Sequence, residues 1–130
     1  MLENYVQEIV QRTKLFAWQV EQLRFSGDLY IYNPLQYAWN MHEAYLRTYL
    51  SHPIQALMLG MNPGPFGMAQ NGIPFGEVGA VKQFLKLDEP IGKPSIEHPS
   101  RPVLGMTVQR SEVSGRRLWA LMEEHYTSAD

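Results

Sequence analysis

The chain has 130 residues, a formal net charge of −2, and apolar and charged fractions of 45% and 18%. These values are typical of one folded domain, and we expect a cytoplasmic protein. The charge provides no global field for a polyanion, so contact with a nucleic acid would depend on a local group of Lys and Arg side chains. The absence of cysteine excludes disulfides and thiolate-held zinc or iron–sulfur clusters. Polar residues interrupt the apolar ones over residues 1–14, and no run approaches the roughly 18 apolar residues of a membrane span, so we expect neither a signal peptide nor a membrane partner.

Apolar residues recur every three or four positions in four parts of the chain, which predicts four amphipathic helices. The first stripe ends before Gly27, and the second begins at an N-cap Asn33 followed by Pro34. The third helix covers residues 77–87, and the fourth is expected to be capped by Ser114. In chain order the stripes consist of Leu2, Val6, Ile9, Thr13, Phe16, Val20 and Leu23, then Tyr37, Met41, Tyr45 and Tyr49, then Val78, Val81 and Leu85, and finally Leu118, Trp119 and Met122.

Residues 54–60 form a short, nearly continuous apolar run, which predicts a buried strand of a parallel sheet. A lone parallel strand would leave both of its hydrogen-bonding edges unpaired. We therefore expect an α/β fold with a parallel sheet flanked by helices, of which residues 1–130 form an incomplete portion that exposes apolar surface and self-associates. Four prolines within residues 88–102 predict a loop there.

The loop at residues 60–77 follows the carboxyl end of the predicted strand, where open α/β sheets place their ligand sites. Its glycines and prolines fix turns and allow main-chain N–H groups to approach a ligand closely. The residue types alone are compatible with a phosphate site, a site for a planar base, or a structural turn without chemistry. A phosphate site is disfavoured because the loop contains neither a P-loop pattern nor a dinucleotide-binding fingerprint.

A family resemblance favours the second alternative, a site for a planar base. Residues 60–70 read GMNPGPFGMAQ and residues 74–77 read PFGE, which resembles the first active-site motif of the single-strand-selective monofunctional uracil-DNA glycosylases. The sequences EHP at 97–99, RPVLG at 101–105 and SEVSG at 111–115 are similar to later segments of that family. The resemblance implies a uracil-DNA glycosylase-like α/β fold, with residues 1–130 as the amino-terminal part of that domain.

The resemblance also implies an activity and site residues. Such enzymes flip uracil out of DNA and hydrolyse its N-glycosidic bond without a cofactor. Asn62 would position the water through its uncharged amide, although an Asx-turn before Pro63 is the alternative for this residue. Phe75 would stack on the flipped base, with a core anchor as the alternative. Met61 would offer backbone groups to the uracil edge.

Gly64 stands where thymine-excluding uracil glycosylases carry a bulky side chain against the 5-position of the base. The resemblance therefore implies tolerance of 5-modified uracils, with Met68 lining the same pocket, while a turn conformation is a second and compatible reason for the glycine. Arg116 and Arg117, near the start of the last helix, are candidates for DNA phosphate contacts, although surface charge of this kind is common.

Two elements of the family pattern are not found after Trp119: an Asn that reads the uracil edge and a His-Pro-Ser-Pro-type loop whose histidine stabilises the departing base. His98 precedes Pro99 in a similar sequence, but its neighbours match the central connecting segment of the family, so we expect a structural role; we expect no metal site. We therefore expect a base-excision repair glycosylase whose residues 1–130 are inactive alone, with uracil-containing single- or double-stranded DNA and a complementary carboxyl-terminal fragment as candidate partners. The alternatives are a weak DNA- or uracil-binding module and a gene remnant that does not fold stably.

Overall fold

Helices and loops make up the fold of residues 1–129, which the computed structural model describes. No strand is present in this part of the chain, so the predicted parallel sheet is not confirmed. None of its helices is long and apolar enough to cross a bilayer. In chain order the elements are α1 (Leu2–Glu21), α2 (Pro34–Tyr37), α3 (Trp39–Tyr49), α4 (Met68–Asn71), α5 (Val78–Ala80), a π-helical turn (Val81–Leu85), a 3₁₀ turn (Gly105–Thr107) and α6 (Val113–His125).

The first helix packs on α3 through part of its predicted stripe. Val6 of the stripe is buried against Leu46 of α3 together with Val10, which the stripe did not include, whereas Phe16 of the predicted stripe is 54% exposed. The helix ends at Glu21, earlier than predicted, because the next amide groups bond to carbonyls three residues back and tighten the last turn.

The second predicted helix is confirmed as two consecutive helices, α2 and α3, with Pro34 at the first helical position. Asn33 is the N-cap residue by position, but its side chain makes no cap bond. Instead its Nδ2 donates to the backbone oxygen of Ala17 and to Glu21 Oε2, both at 3.0 Å, and so joins the start of α2 to the end of α1. The stripe on α3 is confirmed, since Met41 is fully buried in the main core.

The third predicted helix is also confirmed, although its second half is π-helical. Val78, Val81 and Leu85 are buried as predicted, and Glu77 Oε2 accepts from the Ala80 N–H at 2.8 Å as an N-cap. The helix ends at Leu85 and is followed by the C-cap residue Lys86, whose φ of 53° lies in the left-handed region.

The prediction of a buried strand at residues 54–60 is wrong. The segment has no strand pairing, and Leu57 and Leu59 are 87% and 91% exposed. A strand requires a hydrogen-bonded neighbour, and residues 1–129 place none beside this segment. The segment therefore exposes apolar side chains on the surface of the molecule.

The remaining connections lead to the last helix. Residues 88–102 form a loop, as their prolines predict, and it is attached to α2 by the Gly92 N–H donating to the Tyr37 carbonyl at 2.7 Å. The predicted cap of α6 at Ser114 is wrong. Glu112 caps this helix instead, because its carboxylate accepts from the N–H groups of Ser114 at 3.1 Å and Gly115 at 2.6 Å, which satisfies two of the unpaired donors of the first turn.

Candidate functional site

The loop at residues 60–77 lies against α3 on one side and α6 on the other. Helix α4 forms its middle and ends at Gly72, whose φ of 77° is left-handed. A Cβ at Gly72 would lie 2.8 Å from both the Cβ and the carbonyl oxygen of Ala38, so the loop can meet α3 closely only with glycine at this position. This contact anchors the second half of the loop on the core.

His42 of α3 fixes the same point by a hydrogen bond. Its ring is buried, and Nδ1 donates to the Gly72 carbonyl at 2.7 Å. Burial lowers the pKa of His42, and the bond to the Gly72 carbonyl offsets part of this effect. The neutral ring therefore carries its proton on Nδ1 and holds the turn without placing a charge beneath the loop.

Asn71 braces the turn that follows. Its side chain is fully buried, Nδ2 donates to the Gly76 carbonyl at 2.6 Å, and Oδ1 accepts from the Ile73 N–H at 3.0 Å. Both ends of the amide are thus used to hold residues 73–76 in one conformation. The sequence reasoning missed this residue, although an Asn before Gly in a turn-rich segment is a recognised sign of an Asx-turn.

Gln70 ties the first half of the loop to the segment before the 3₁₀ turn. Its Nε2 donates to the Pro65 carbonyl at 3.0 Å, and its Oε1 accepts from the Leu104 N–H at 2.7 Å. The Tyr37 hydroxyl donates to the carbonyl of the adjacent Ala69, and burial raises the pKa of Tyr37 well above its usual range. The protonated hydroxyl therefore remains a donor, and the loop is held by side chains that the sequence reasoning did not single out.

Phe75 lies in the turn that Asn71 holds. Its backbone φ is 54°, a conformation that residues other than glycine rarely adopt. Its carbonyl accepts two hydrogen bonds of 2.8 Å, from the Glu77 N–H and from Nε1 of Trp119 on α6. Its ring lies against Gly60, where a Cβ would come within 3.2 Å of the ring atom Cζ. Phe75 as a whole residue is half-buried, and the tip of its ring faces the backbone of Gly60.

Asn62 and Met61 follow Gly60 directly, so the contact between Phe75 and Gly60 brings the aromatic ring beside the segment that carries both residues. Asn62 is exposed, and its Nδ2 donates to the Pro63 carbonyl at 3.2 Å. The side chain of Met61 is 99% exposed and packs on nothing. The structure thus places Phe75, Met61 and Asn62 in one region of the surface.

Gly64 and Met68 lie on the same loop, next to the start of α6. A Cβ at Gly64 would lie 3.1 Å from Cγ of Glu112, the residue that caps this helix, and Gly67 approaches the same side chain equally closely. Gly64 does not have a positive φ, so close approach explains this glycine better than a left-handed turn does. Met68 is half-buried in α4.

Two basic residues predicted for DNA contact, Arg116 and Arg117, are exposed on the first turns of α6. Their role remains a prediction. Nearby, the guanidinium of Arg110 lies over the ring of Phe66, with its carbon 4.4 Å from the ring centroid, which holds this cation beside the loop.

His98 lies in a turn of the 88–102 loop, where it contacts Ser100, Tyr30 and Tyr32. Its Nδ1 accepts from the Ser100 N–H at 3.0 Å, and its ring meets Tyr30 edge-on with 4.7 Å between centroids. These contacts support the predicted structural role. Within residues 1–129, no group of three or more His, Asp or Glu side chains is placed to hold a metal ion.

Three surface clefts, of about 630, 470 and 270 Å³, lie elsewhere in the molecule. The first lies between α1 and the end of α3, the second between α3 and the chain end after α6, and the third along residues 88–106. None of them is lined by residues 60–78. Asn62 and Met61 are exposed, so this side of the candidate site is open to solvent.

Comparison with known proteins shows what the chain is similar to. No family model matches it. It is 48% identical over 120 residues to a single-strand selective monofunctional uracil DNA glycosylase of Bos taurus, a match that covers 92% of the chain and 43% of the relative. It is 51% and 50% identical over 102 residues to proteins of the same description from Mus musculus and Rattus norvegicus, covering 78% of the chain and 37% of each relative.

These matches define the class as uracil-DNA glycosylases. Within that class the three relatives are described as single-strand selective monofunctional enzymes, so the resemblance inferred from the loop is confirmed over 78–92% of the chain. The bovine match leaves only about ten residues of the chain outside it, so it includes the 60–77 loop. The chain spans about two fifths of the length of these relatives.

Proposed function

We propose that this chain contributes the water-positioning and base-stacking part of a uracil-DNA glycosylase site, in DNA base-excision repair. The observation that carries the proposal is the contact between the Phe75 ring and Gly60, two residues before Asn62, on a loop within the region matched to the glycosylases. The substrate is uracil, or a 5-modified uracil, in single- or double-stranded DNA. No cofactor takes part in the proposed reaction.

Asn62 has the chemistry to orient a nucleophilic water. Its Nδ2 is committed to the Pro63 carbonyl and the residue is exposed, so Oδ1 is available to accept a hydrogen bond from water. In the proposed reaction the bond between C1′ of the sugar and N1 of uracil breaks with its electron pair left on N1, and the water oxygen bonds to C1′. The water loses one proton to solvent, and the departing uracil anion takes one up. The sugar passes through a cationic, oxocarbenium-like transition state, which requires a well-placed water more than a strong base.

Phe75 has the geometry of a stacking platform. Base–aromatic stacking is worth about 1–3 kcal/mol per base. The left-handed backbone at Phe75 costs on the order of 1–3 kcal/mol, and unusual backbone conformations of this kind are concentrated at functional sites. The strained residue is therefore better explained by the need to aim the ring than by core packing, since Phe75 is only half-buried and belongs to none of the core clusters described.

The remaining predicted contacts follow from the same placement. Met61 makes no side-chain contact that would conflict with a backbone role toward the uracil edge. Gly64 lets the loop backbone pack against Glu112, and with Met68 this backbone would border the 5-position of the base. Arg116 and Arg117 are exposed for contact with DNA phosphates.

A second candidate function is binding of uracil or single-stranded DNA without catalysis. The open surface around Asn62 favours it, because an exposed site leaves the flipped base and the attacking water in contact with bulk solvent. The catalytic proposal therefore includes further residues, supplied by a region of the kind that the longer relatives carry outside the match.

Uracil release from a single-stranded oligonucleotide tests the proposal. We expect no release above background by the 130-residue chain alone, and release by a chimera in which the matched 120 residues replace their counterparts in the bovine relative. Asn62→Ala should lower release by the chimera about a hundredfold, the size of effect expected when a reacting group is misplaced. Asn4→Ala on the exposed surface of α1 is the matched control and should leave the rate unchanged.

Each arm has a result that contradicts the proposal. Full activity of the Asn62→Ala chimera would exclude the water-positioning role. Release by the chain alone at an ordinary enzymatic rate would show that no further region is needed. Binding of a uracil strand by an inactive chimera would favour the binding module.

A further inference from the structure

The carbonyl of Phe75 is the point at which α6 meets the loop. Trp119 Nε1 donates to it at 2.8 Å, from a position 44 residues further along the chain. The same carbonyl accepts from the Glu77 N–H at 2.8 Å, which closes a tight turn around Gly76. Two donors therefore fix the direction of this carbonyl, and only one of them belongs to the loop.

Trp119 is also held by contacts outside the loop. Its half-buried ring packs on the core residue Phe84 with 6.1 Å between ring centroids. Gly115, one turn earlier on α6, allows the helix to approach, because a Cβ there would lie 2.3 Å from the Phe75 carbonyl oxygen. The indole N–H is thus presented from a packed helix and does not have to be ordered by the turn.

The direction of the Phe75 ring depends on this backbone. A residue with a left-handed φ can relax to the more common extended or right-handed conformation, and rotation about its φ and ψ would move the ring away from Gly60. Asn71 restrains the neighbouring Gly76 carbonyl, but among the bonds described only the Glu77 N–H and the Trp119 indole hold the carbonyl of Phe75 itself.

We infer that Trp119 is a positioning residue for uracil recognition: its indole N–H holds the Phe75 backbone so that the ring stays beside Gly60 as a platform for the base. The inference rests on the proposed function, and Trp119 itself touches no substrate. It assigns a specific task to one atom of the last helix, in addition to the packing of its ring in the core.

The test removes the N–H and keeps the ring shape. In the 130-residue chain, Trp119 is replaced site-specifically by an analogue in which sulfur takes the place of the indole N–H, and Trp119→Phe is made alongside it. Trp39→Phe is the matched control, since Trp39 Nε1 also makes a hydrogen bond, to Glu43 Oε2 at 2.6 Å, within α3. Far-UV circular dichroism confirms that each variant is folded.

Nuclear magnetic resonance measures the position of the ring without any ligand. In the unchanged chain, a Gly60 Hα points at the Phe75 ring, so we expect an upfield ring-current shift and a nuclear Overhauser effect between the two residues. Both should be lost in the sulfur analogue and retained in Trp39→Phe. Retention of both in a folded sulfur analogue would overturn the inference.

Oligonucleotide binding then measures the consequence for recognition, with a single-stranded probe containing a 2′-fluorinated deoxyuridine and a matched probe containing a tetrahydrofuran abasic analogue. We expect the unchanged chain to prefer the uracil probe, and the sulfur analogue to lose about tenfold of this preference while its affinity for the abasic probe stays the same, as loss of a stacking contact predicts. Equal loss on both probes would overturn the inference, because it would indicate a general structural role. No uracil preference in the unchanged chain, with the magnetic resonance result as expected, would instead overturn the proposed function and with it the recognition role.

Discussion

Replacement of Gly115 by Ala separates helix propensity from the close approach of α6 to the loop. In an exposed helix, Gly→Ala stabilises by up to about 1 kcal/mol. At Gly115 the added Cβ would lie 2.3 Å from the Phe75 carbonyl oxygen, 2.9 Å from Glu112 Oε2 and 3.0 Å from the Cβ of Glu77. The closest ordinary contact between a carbon and a carbonyl oxygen is about 3.3 Å, so the helix and the turn would have to separate by about 1 Å.

The magnitude follows from the contacts that this separation disturbs. Forcing an extra methyl group into a packed contact costs about 1–3 kcal/mol. The bond from the Gly115 N–H to Glu112, 2.6 Å long, is part of the helix cap and would be lengthened, and loss of a cap costs about 1 kcal/mol. After the gain in helix propensity is subtracted, we expect Gly115→Ala to lower the free energy of unfolding by about 1–3 kcal/mol.

Urea unfolding followed by far-UV circular dichroism, at low micromolar concentration, measures this difference. The midpoint should fall by about 1 M, given the denaturant dependence usual for chains of this size. Ser114→Ala is the control, because Ser114 is the exposed neighbour on the same turn, and its effect should stay within about 0.5 kcal/mol. A midpoint for Gly115→Ala equal to or above that of the unchanged chain would refute the close approach of α6 to the loop.

Three further predictions concern the hydrogen bonds of Asn71, the buried ring of His42 and the exposed apolar segment at residues 54–60. Asn71→Ala should lower the free energy of unfolding by about 2–4 kcal/mol in the same urea assay, because it leaves the buried Ile73 N–H and the buried Gly76 carbonyl without partners. An effect below about 1 kcal/mol would contradict the proposed role of Asn71 in holding the turn. Because burial lowers the pKa of His42, the unfolded chain binds its proton more readily than the folded chain does. The urea midpoint should therefore fall as the pH drops below about 6.5, less steeply in His42→Gln, and a midpoint that rises on acidification would be inconsistent with this assignment. Leu57→Ser combined with Leu59→Ser should reduce self-association in sedimentation velocity without lowering the urea midpoint, since both side chains are almost fully exposed; unchanged association would remove the segment from the interface.

Local patterns predicted the helices but not their exact ends. The stripe through Met41 and the buried positions Val78 and Val81 follow from the 3.6-residue period, which depends only on neighbours along the chain. The cap of α6 was predicted two residues too late because Ser and Glu both occur there, and the choice of Glu112 depends on where its carboxylate lies in three dimensions. The strand at residues 54–60 could not be decided locally, since strand formation requires a partner that the chain's own sequence pattern does not specify.

The candidate site likewise contains residues that the local sequence could predict and residues that it could not. The loop motif was sufficient to single out Asn62 and Phe75, because these residues lie in one contiguous and distinctive segment. The residues that hold the loop come from other parts of the chain, among them His42 and Trp119, and each was predicted only as part of a helix. Their hydrogen bonds join residues 30 and 44 positions apart, and no local pattern contains such a pairing.

The two hydrogen bonds of the Gln70 side-chain amide limit how this loop can be transferred to another protein. Its amide joins Pro65 within the loop to Leu104 outside it, and the Tyr37 hydroxyl, from a third part of the chain, holds the carbonyl of the preceding residue, Ala69. A graft of residues 60–77 alone would therefore carry the recognisable sequence without the supports that give it shape. A designer who wishes to transplant this surface must move three separated segments together, and a shorter insert should adopt many conformations in its new host.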